Sequence, residues 1–527
     1  MIKTDVLFDQ EARSKFLKGI DIVCKSVGTT LGPRGQNVAI AKTNPRGEIY
    51  ERIVLHDGVS VARSIELLDE FENMGAQLII QAARKQVDEV GDGTTVTIIL
   101  AHAIIQEAFK YIASGFNPME LRSGLESGLD LLIDEILSQA TPITTEDQLT
   151  RIATISAEDE KIGNLVAGTL TQATKDGIIT VEESKNAVTT VEFQKGMQFD
   201  TGFYHPLFIT HPEHMEAILH DARFLVTDKS LLVVEPLMKL LEELWKQQDK
   251  LVIIAPEIGG DVLPTLLQNK LKGKLSVLCI KAPSFGQNQK EFLQDIALFV
   301  GAKFITEDAG HKIEDITISH LGKAESIVST KSGTIITGGS GDSHSLQARV
   351  DSIKKQIEEE SGEFDKEKLK ERLAKLTNGV AVIRVGGATE VEMKERRERV
   401  LDSVAATRAA LESGIVPGGE MIYFRIRHVL NKEIPAHRIL EKALLEPFYR
   451  LISNAGIDQF SSGMSLALLD NNYGIDVTSG EPVDLVAAGI IDPALVPLNA
   501  LTNAVSVAIQ ILTSSCIIVP KVREERK

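Results

Sequence analysis

Gly91-Asp92-Gly93-Thr94-Thr95 constrains this chain more than any other stretch, because it closes one segment and opens a long apolar one, Val96 to Ile105. Glycine reaches positive φ and lets the backbone approach a ligand closely. Free N–H groups and the dipole at a helix start favour an anion. A carboxylate beside a polyphosphate can hold Mg²⁺, which takes few protein ligands and completes its shell with phosphate and water. Taken alone, the pentapeptide reads equally well as a plain turn followed by an N-cap.

At 527 residues the chain exceeds what one hydrophobic core organises, so several domains are expected. Hydrophobic residues make up 43% and charged residues 25%, which is ordinary for a globular protein. The apolar runs, Thr97 to Ile105 among them, are expected to be too short to span a bilayer, so no membrane partner is expected. The start, Met1-Ile2-Lys3-Thr4-Asp5, does not read as a signal peptide. Cys24, Cys279 and Cys516 lie far apart, with neither a disulfide framework nor a zinc spacing. That fits a reducing, cytoplasmic setting. The net charge of −17, with no basic cluster interleaved with aromatics, argues against nucleic acid as a partner. The mostly basic segment Lys521 to Lys527 reads as a frayed, solvated end.

Periodicity divides the chain. Phe16, Ile20 and Val23 share one face of a helix that runs into Thr29-Thr30-Leu31-Gly32-Pro33, where glycine and proline break it. A helix is expected after Thr95, and another after Asn117-Pro118 with Leu121, Leu125, Leu129, Leu132 and Ile136 on its apolar face. Beyond Thr141-Pro142 the pattern turns to mixed α/β. Strands are expected at Gly177–Val181, Leu251–Ala255, Ser276–Ile280 and Ala381–Val385, the second and third as a βαβ unit. Leu346, Val350, Ile353 and Ile357, then Leu369, Leu373 and Leu376, mark a charged helical hairpin read as a solvated structural pair. A charged helix, Glu390 to Leu411, precedes Gly414 and Pro417-Gly418-Gly419, and the chain is helical again after it. The two helical ends suggest one domain made from both termini around an α/β insertion.

Four places could line a nucleotide site: Thr30-Leu31-Gly32-Pro33, Asp57-Gly58, Asp92-Gly93-Thr94-Thr95 and Gly418-Gly419. Each is weak alone, and no glycine loop ends in Gly-Lys-Ser/Thr. Gly338-Gly339-Ser340-Gly341 reads as a hairpin or surface loop, since no good helix-opening pattern follows it. His205, His211 and His214 could serve zinc, but Pro206 and Pro212 break any helix that would align them, so a loop is the better reading. Apolar side chains crowd Phe203 to Phe208, Leu237 to Leu244 and Val262 to Leu267. Most are expected in a core, and the remainder could form a greasy face for partners.

Taken together, Thr30-Leu31-Gly32-Pro33-Arg34-Gly35, Asp57-Gly58-Val59-Ser60-Val61-Ala62-Arg63, Phe71-Glu72-Asn73-Met74-Gly75-Ala76, Gly91-Asp92-Gly93-Thr94-Thr95, Gly196-Met197-Gln198-Phe199-Asp200 and Ala388-Thr389-Glu390-Val391-Glu392-Met393-Lys394 resemble the group I chaperonins, the GroEL-like ATP-driven folding machines. The match runs in order to about Pro520. The resemblance implies a multidomain chaperonin fold. A mainly α equatorial ATPase domain would be made of residues 1–138 and 413–527. A small α/β intermediate domain would span 139–194 and 381–412, and an α/β apical domain 195–380. It implies ATP, Mg²⁺ and K⁺ as cofactors. It implies as partners a seven-membered homo-oligomeric ring, stacked as two, a GroES-like co-chaperonin and non-native client proteins. By position, Thr30, Leu31, Gly32, Pro33, Asp92, Gly93, Thr94, Thr95, Gly419 and Asp492 would bind the nucleotide, with Asp92 as the Mg²⁺ ligand. Asp402 would activate the attacking water and Asp57 would assist at the γ-phosphate. Phe203, Leu207, Phe208, Met238, Leu241, Leu263 and Leu267 would form the client-binding surface.

The chain departs from that pattern in places. Glu420 stands where a third glycine is usual, His56 where a lysine is, and Val96 where a threonine follows Thr95. Asp476-Val477-Thr478 replaces the usual Asn-Ala-Ala. Thr201 stands where an arginine pairs with a neighbouring subunit's glutamate, at the position of Glu390. Gln268 interrupts the apical apolar row, Asn378-Gly379 replaces a Gly-Gly hinge, and the Gly-Met tail is absent.

Overall fold

Asp9–Gly28 forms the first helix, and its apolar spacing puts Phe16, Ile20 and Val23 into the core. The structure, a computed structural model, describes residues 4–43, 49–55, 57–157, 159–173, 178–184, 187–212, 214–359, 362–377, 379–458 and 472–520. His56, Asn378 and Lys521 to Lys527, singled out above, lie outside the described residues. The chain divides into two compact units, Met1–Thr171 with Lys394–Lys527, and Gln172–Met393. They are called here the terminal unit and the middle unit.

The terminal unit is helical, as its periodicity predicts. Glu70–Val90 and Thr94–Ala113 pack on the first helix, and Leu495–Leu512 packs on both of them and on Pro118–Gln139. Their starts follow local chemistry. Asn117 accepts the Met119 N–H at 2.8 Å with Pro118 at the first helical position, and Asp69 accepts from Phe71 and Glu72. The first helix crosses Glu70–Val90 at Gly19 and Gly75, where a Cβ on either would overlap the other helix's backbone. Strand Thr4–Phe8 pairs antiparallel with Cys516–Pro520, so residues from the two ends of the sequence share one ribbon.

One expectation is corrected here. Thr94–Ala113 and Leu495–Leu512 are long and apolar enough to cross a membrane. They pack against each other, and most of each is buried in the core. The polar break that made one apolar run look short, His102, is met by the first helix, its Nε2 lying 2.6 Å from Asp21 Oδ1.

The middle unit holds an eight-stranded mixed sheet, ordered Ile178–Glu183, Gly379–Val385, Thr190–Phe199, Thr334–Gly339, Gly322–Ser329, Ala217–Val226, Lys250–Ala255 and Val277–Lys281. The last three run parallel, joined through helices Met238–Gln247 and Val262–Leu271 as the βαβ reading expects. Phe199, Phe224, Ile253 and Ile327 lie in its core.

The charged hairpin forms helices Ser343–Glu359 and Glu363–Thr377, but it is more than a solvated pair. Asp295, buried on helix Gly286–Val300, accepts from Arg349 Nε at 2.7 Å and from Arg372 Nε at 2.9 Å. Arg372 is itself only 4% exposed and also reaches Glu291. Buried charges persist when paired and hydrogen-bonded, and periodicity alone does not reveal such pairing.

Candidate functional site

The first helix ends in the loop that carries Thr30 to Pro33. Thr30 is buried and its Oγ1 donates to the Val27 carbonyl at 2.8 Å. Gly32 sits at φ 82°, and a Cβ there would overlap Leu451. Helix ends leave carbonyls without partners. Asn454 Nδ2 supplies them here, donating to Gly28 and Leu31 at 3.0 Å and to Thr29 at 3.4 Å. Leu31 is buried and Pro33 exposed.

Asp57 caps the short helix Gly58–Arg63, accepting from Val59 at 3.0 Å and Ser60 at 2.8 Å. A Cβ on Gly58 would overlap Thr95 Oγ1, lie 3.2 Å from Val27 Cγ1 and lie 3.5 Å from Thr30 Oγ1. Thr30, Gly58 and Thr95, separate in sequence, therefore meet at one point.

Gly91 and Gly93 both take left-handed backbone, at φ 75° and 85°. Thr94 is buried at the start of helix Thr94–Ala113. Asp92 is exposed, and its Oδ1 accepts the Gly93 N–H at 2.5 Å. Behind the turn, Gln86 Nε2 donates to the Asp92 carbonyl at 2.9 Å, and Asn503 Nδ2 donates to Gln86 Oε1 at 3.0 Å. Sequence reasoning missed Gln86 and Asn454. Gln86 left a signal: it is a polar residue on the apolar stripe of Ile79, Ala83 and Val90. Asn454 left none.

Strand Ile415–Pro417 pairs with Ile491–Pro493, placing Val416 opposite Asp492. The Gly418 N–H donates to the Ile490 carbonyl at 3.0 Å, and a Cβ on Gly418 would lie 3.2 Å from Asp492 Oδ1. Gly419 and Glu420 follow with φ 63° and 60°. Burial, then Asp492 and Asp92, push the Glu420 carboxyl well above the carboxylate range. Burial, then Asp92, push Asp492 up to about 7. Asp92, Glu420 and Asp492 thus share one field.

Asp402 is exposed on helix Glu390–Ser413. One turn further on, Ala405 lies where a Cβ on Gly91 would overlap it. Ser403 Oγ donates to the Ala153 carbonyl at 2.8 Å and fixes the helix's rotation. Asp402 thus lies one helical turn before the residue that packs on Gly91.

The donors fit a hard cation. Asp92, Glu420 and Asp492 offer oxygen only, and Mg²⁺ needs just one or two carboxylates beside phosphate oxygens. Among the described residues, no group of three or more His, Cys, Asp or Glu is arranged to hold a metal unaided. The histidines read above as a loop are spent locally. His205 Nδ1 accepts the Leu207 N–H at 3.2 Å, and His211 Nδ1 meets Thr210 Oγ1 at 2.9 Å.

A helix does open at Ser343, directly after Gly338-Gly339-Ser340-Gly341, contrary to the sequence expectation. Asp342 caps it, accepting from Ser345 at 2.9 Å. The glycines face protein: Cβ atoms on Gly339 and Gly341 would overlap the Phe299 and Leu298 carbonyls.

The seven apolar residues assigned to a client surface divide by burial. Leu207 is 45% and Met238 42% exposed. Leu263 and Leu267 are half-buried against the core. Phe203, Phe208 and Leu241 are core residues, at 8%, 1% and 8% exposure. Helical crowding explains this, since Leu240, Leu241 and Leu244 all turn inward from helix Met238–Gln247. Leu232 and Val233, which sequence reasoning passed over, are exposed instead, at 44% and 57%. Thr201 is held within its own unit, donating to the Lys281 carbonyl at 2.6 Å, while Glu390 is exposed.

The sequence profile of the TCP-1/cpn60 chaperonin family matches residues 23–522. The chain belongs to that family, and its fold is the multidomain chaperonin fold. It is similar to a solved relative, the chaperonin gp146 from bacteriophage EL 2 (Pseudomonas aeruginosa), crystallised in the presence of ATP-BeFx. In crystal form II the TM-score is 0.68 at 23% identity, covering 98% of this chain and 99% of that one. In crystal form I it is 0.62 at 22%, with the same coverage.

Proposed function

We propose that this chain is an ATP-driven folding chaperone of the group I, GroEL-like kind. Its nucleotide site comprises Thr30–Pro33, Asp92–Thr95, Gly419 and Asp492. The observation that carries the reading is the meeting of Thr30, Gly58 and Thr95 beside the Asp92, Glu420 and Asp492 carboxylates. Phosphoryl transfer depends on positioning and charge neutralisation, with a water left to orient. Backbone N–H groups at Gly32, Thr94 and Thr95 would hold phosphate oxygens. Asp92 would hold Mg²⁺, which supplies charge neutralisation. Asp402 would orient the attacking water and Asp57 would assist near the γ-phosphate. K⁺ belongs to the same proposed set. A helix that carries Asp402 to the turn makes turnover depend on that helix's placement.

Non-native chains would dock on exposed apolar side chains of the middle unit, Leu207 and Met238 first, since burying apolar area yields roughly 25 cal/mol per Å². The wider proposal comprises the equatorial, intermediate and apical division given above, a seven-membered ring stacked as two, a GroES-like co-chaperonin and a cytoplasmic location.

ATP hydrolysis by the wild type and by Asp402→Ala, with particle mass on the same samples, tests this. Loss of about a hundredfold or more in turnover with ATP binding kept is the expected result. Unchanged turnover would sink the assignment. Glu420 favours a second reading, a holding or scaffold protein with weak ATPase, because it sets a bulkier acidic side chain in left-handed backbone where a third glycine is usual. Ring-sized particles without turnover in either sample would select it.

A further inference from the structure

Gln86 lies on the apolar stripe of helix Glu70–Val90 and is fully buried. A buried primary amide needs partners for its N–H donors and its carbonyl acceptor. Gln86 finds them far away in sequence. Its Nε2 donates to the Asp92 carbonyl at 2.9 Å and to the Val496 carbonyl at 3.2 Å. Its Oε1 accepts from Asn503 Nδ2 at 3.0 Å. Two carbonyls at one end of the amide settle which end is nitrogen. Asn503, also buried, donates to Glu89 Oε2 at 3.3 Å as well. The amide packs on the turn too, since a Cβ on Gly93 would lie 2.9 Å from Gln86 Nε2 and 2.9 Å from Val496 Cγ1. Glycines such as Gly91 and Gly93 leave left-handed backbone as readily as they enter it, so the turn's geometry depends on what grips it. One nitrogen thus ties the turn that bears Asp92 to the start of helix Leu495–Leu512, which directly follows the strand that bears Asp492.

We propose that Gln86 is a positioning residue for the divalent cation of the nucleotide site. It fixes the Asp92 carbonyl, and through the turn it aims the Asp92 carboxylate, so it sets how much Mg²⁺ adds to nucleotide affinity. The inference rests on the nucleotide reading above. Mg²⁺ demands near-ideal octahedral geometry, so a small displacement of its carboxylate weakens it. Losing a group that orients a metal ligand typically costs about 10–100-fold in metal affinity. Bare nucleotide makes no such demand on the carboxylate. The Thr94 and Thr95 N–H groups that would hold its phosphates are anchored by the helix they begin.

The test is calorimetric titration of the full-length protein with ATP, once with excess Mg²⁺ and once with EDTA. Wild type, Gln86→Met and Asn503→Ala are compared. Met keeps the length of the side chain and removes both donors. Asn503→Ala leaves those donors in place and removes the bond that orients their amide. The ratio of affinities with and without Mg²⁺ is expected to fall about tenfold in Gln86→Met and about threefold in Asn503→Ala. Affinity in EDTA is expected to stay within about twofold of the wild type. A merely structural role would lower the melting temperature and the fraction of chains that bind, and would leave the ratio where it was. A ratio unchanged in Gln86→Met, with ATP still bound, overturns the positioning role and leaves the nucleotide reading standing. If Gln86→Met does not fold, Asn503→Ala decides by the same criterion. ATP bound equally well by the wild type with and without Mg²⁺ overturns this inference alone. No binding of ATP by the wild type under either condition overturns the nucleotide reading and this inference with it.

Discussion

In the terminal unit the candidate site is shaped by missing atoms. Gly32, Gly58, Gly91 and Gly93 each face a neighbour closer than a methyl group could tolerate, and polar side chains behind them, Gln86 and Asn454, hold the backbone in place. In the middle unit the candidate surface is shaped by atoms that protrude. Leu207, Leu232, Val233 and Met238 leave much of their side chains in solvent, over a core made by close relatives such as Phe208 and Leu241. Backbone geometry is specific and intolerant of change. An apolar surface is generic and tolerant, which suits partners that share only exposed hydrophobic area.

The contrast can be broken at its strongest point first. Gly58→Ala puts a Cβ against Thr95, and turnover is expected to fall about a hundredfold because reacting groups lose alignment. A steady-state ATPase assay checks it, and near-normal turnover would mean the site is more plastic than the geometry indicates. Asp295→Ala leaves buried Arg372 and half-buried Arg349 without the carboxylate they share. A cost of about 3–5 kcal/mol is expected in the middle unit's unfolding, read by denaturant titration, with ATP affinity unaltered.

A finer cut separates surface from core within the middle unit. Leu241→Ala is expected to cost about 2–5 kcal/mol. Leu207→Ser and Met238→Ser are expected to cost less than about 0.5 kcal/mol each, while weakening suppression of client aggregation by light scattering. Equal destabilisation by all three would erase the distinction. The smallest effect concerns pH. Asp492 keeps its proton up to about 7 in the fold but loses it near 3.8 when free. That contribution is fully present below about pH 4 and is lost as pH rises towards 7. Asp492→Asn is expected to flatten the fall in melting temperature over that window by about 2 °C.

Much of this was legible in the sequence. Phe16, Ile20 and Val23 announced a helix because periodicity reports which face is buried. Asn117-Pro118 announced a helix start because capping chemistry is local. The glycine turns at Gly91 and Gly93 were readable for the same reason. What stayed hidden depends on partners distant in sequence. Nothing around Asn454 marks it as the group that satisfies the Gly28 and Leu31 carbonyls. Nothing in the hairpin's charges separates buried Arg372 from the solvated cations beside it. The apolar run at Leu240, Leu241 and Leu244 reads the same whether the core takes one side chain or all three.

The ribbon formed by Thr4–Phe8 and Cys516–Pro520 also sets a timetable for synthesis. The middle unit is one contiguous stretch, 172–393, so it can fold while later residues are still being added. The terminal unit cannot close its ribbon until residue 520 has left the ribosome, roughly 6–25 s after the middle unit is complete at ordinary elongation rates. For that interval the helices of residues 9–139 wait without Leu495–Leu512, their apolar faces open to the solvent. During its own birth the nascent chain displays the kind of surface that the mature protein is proposed to capture in others.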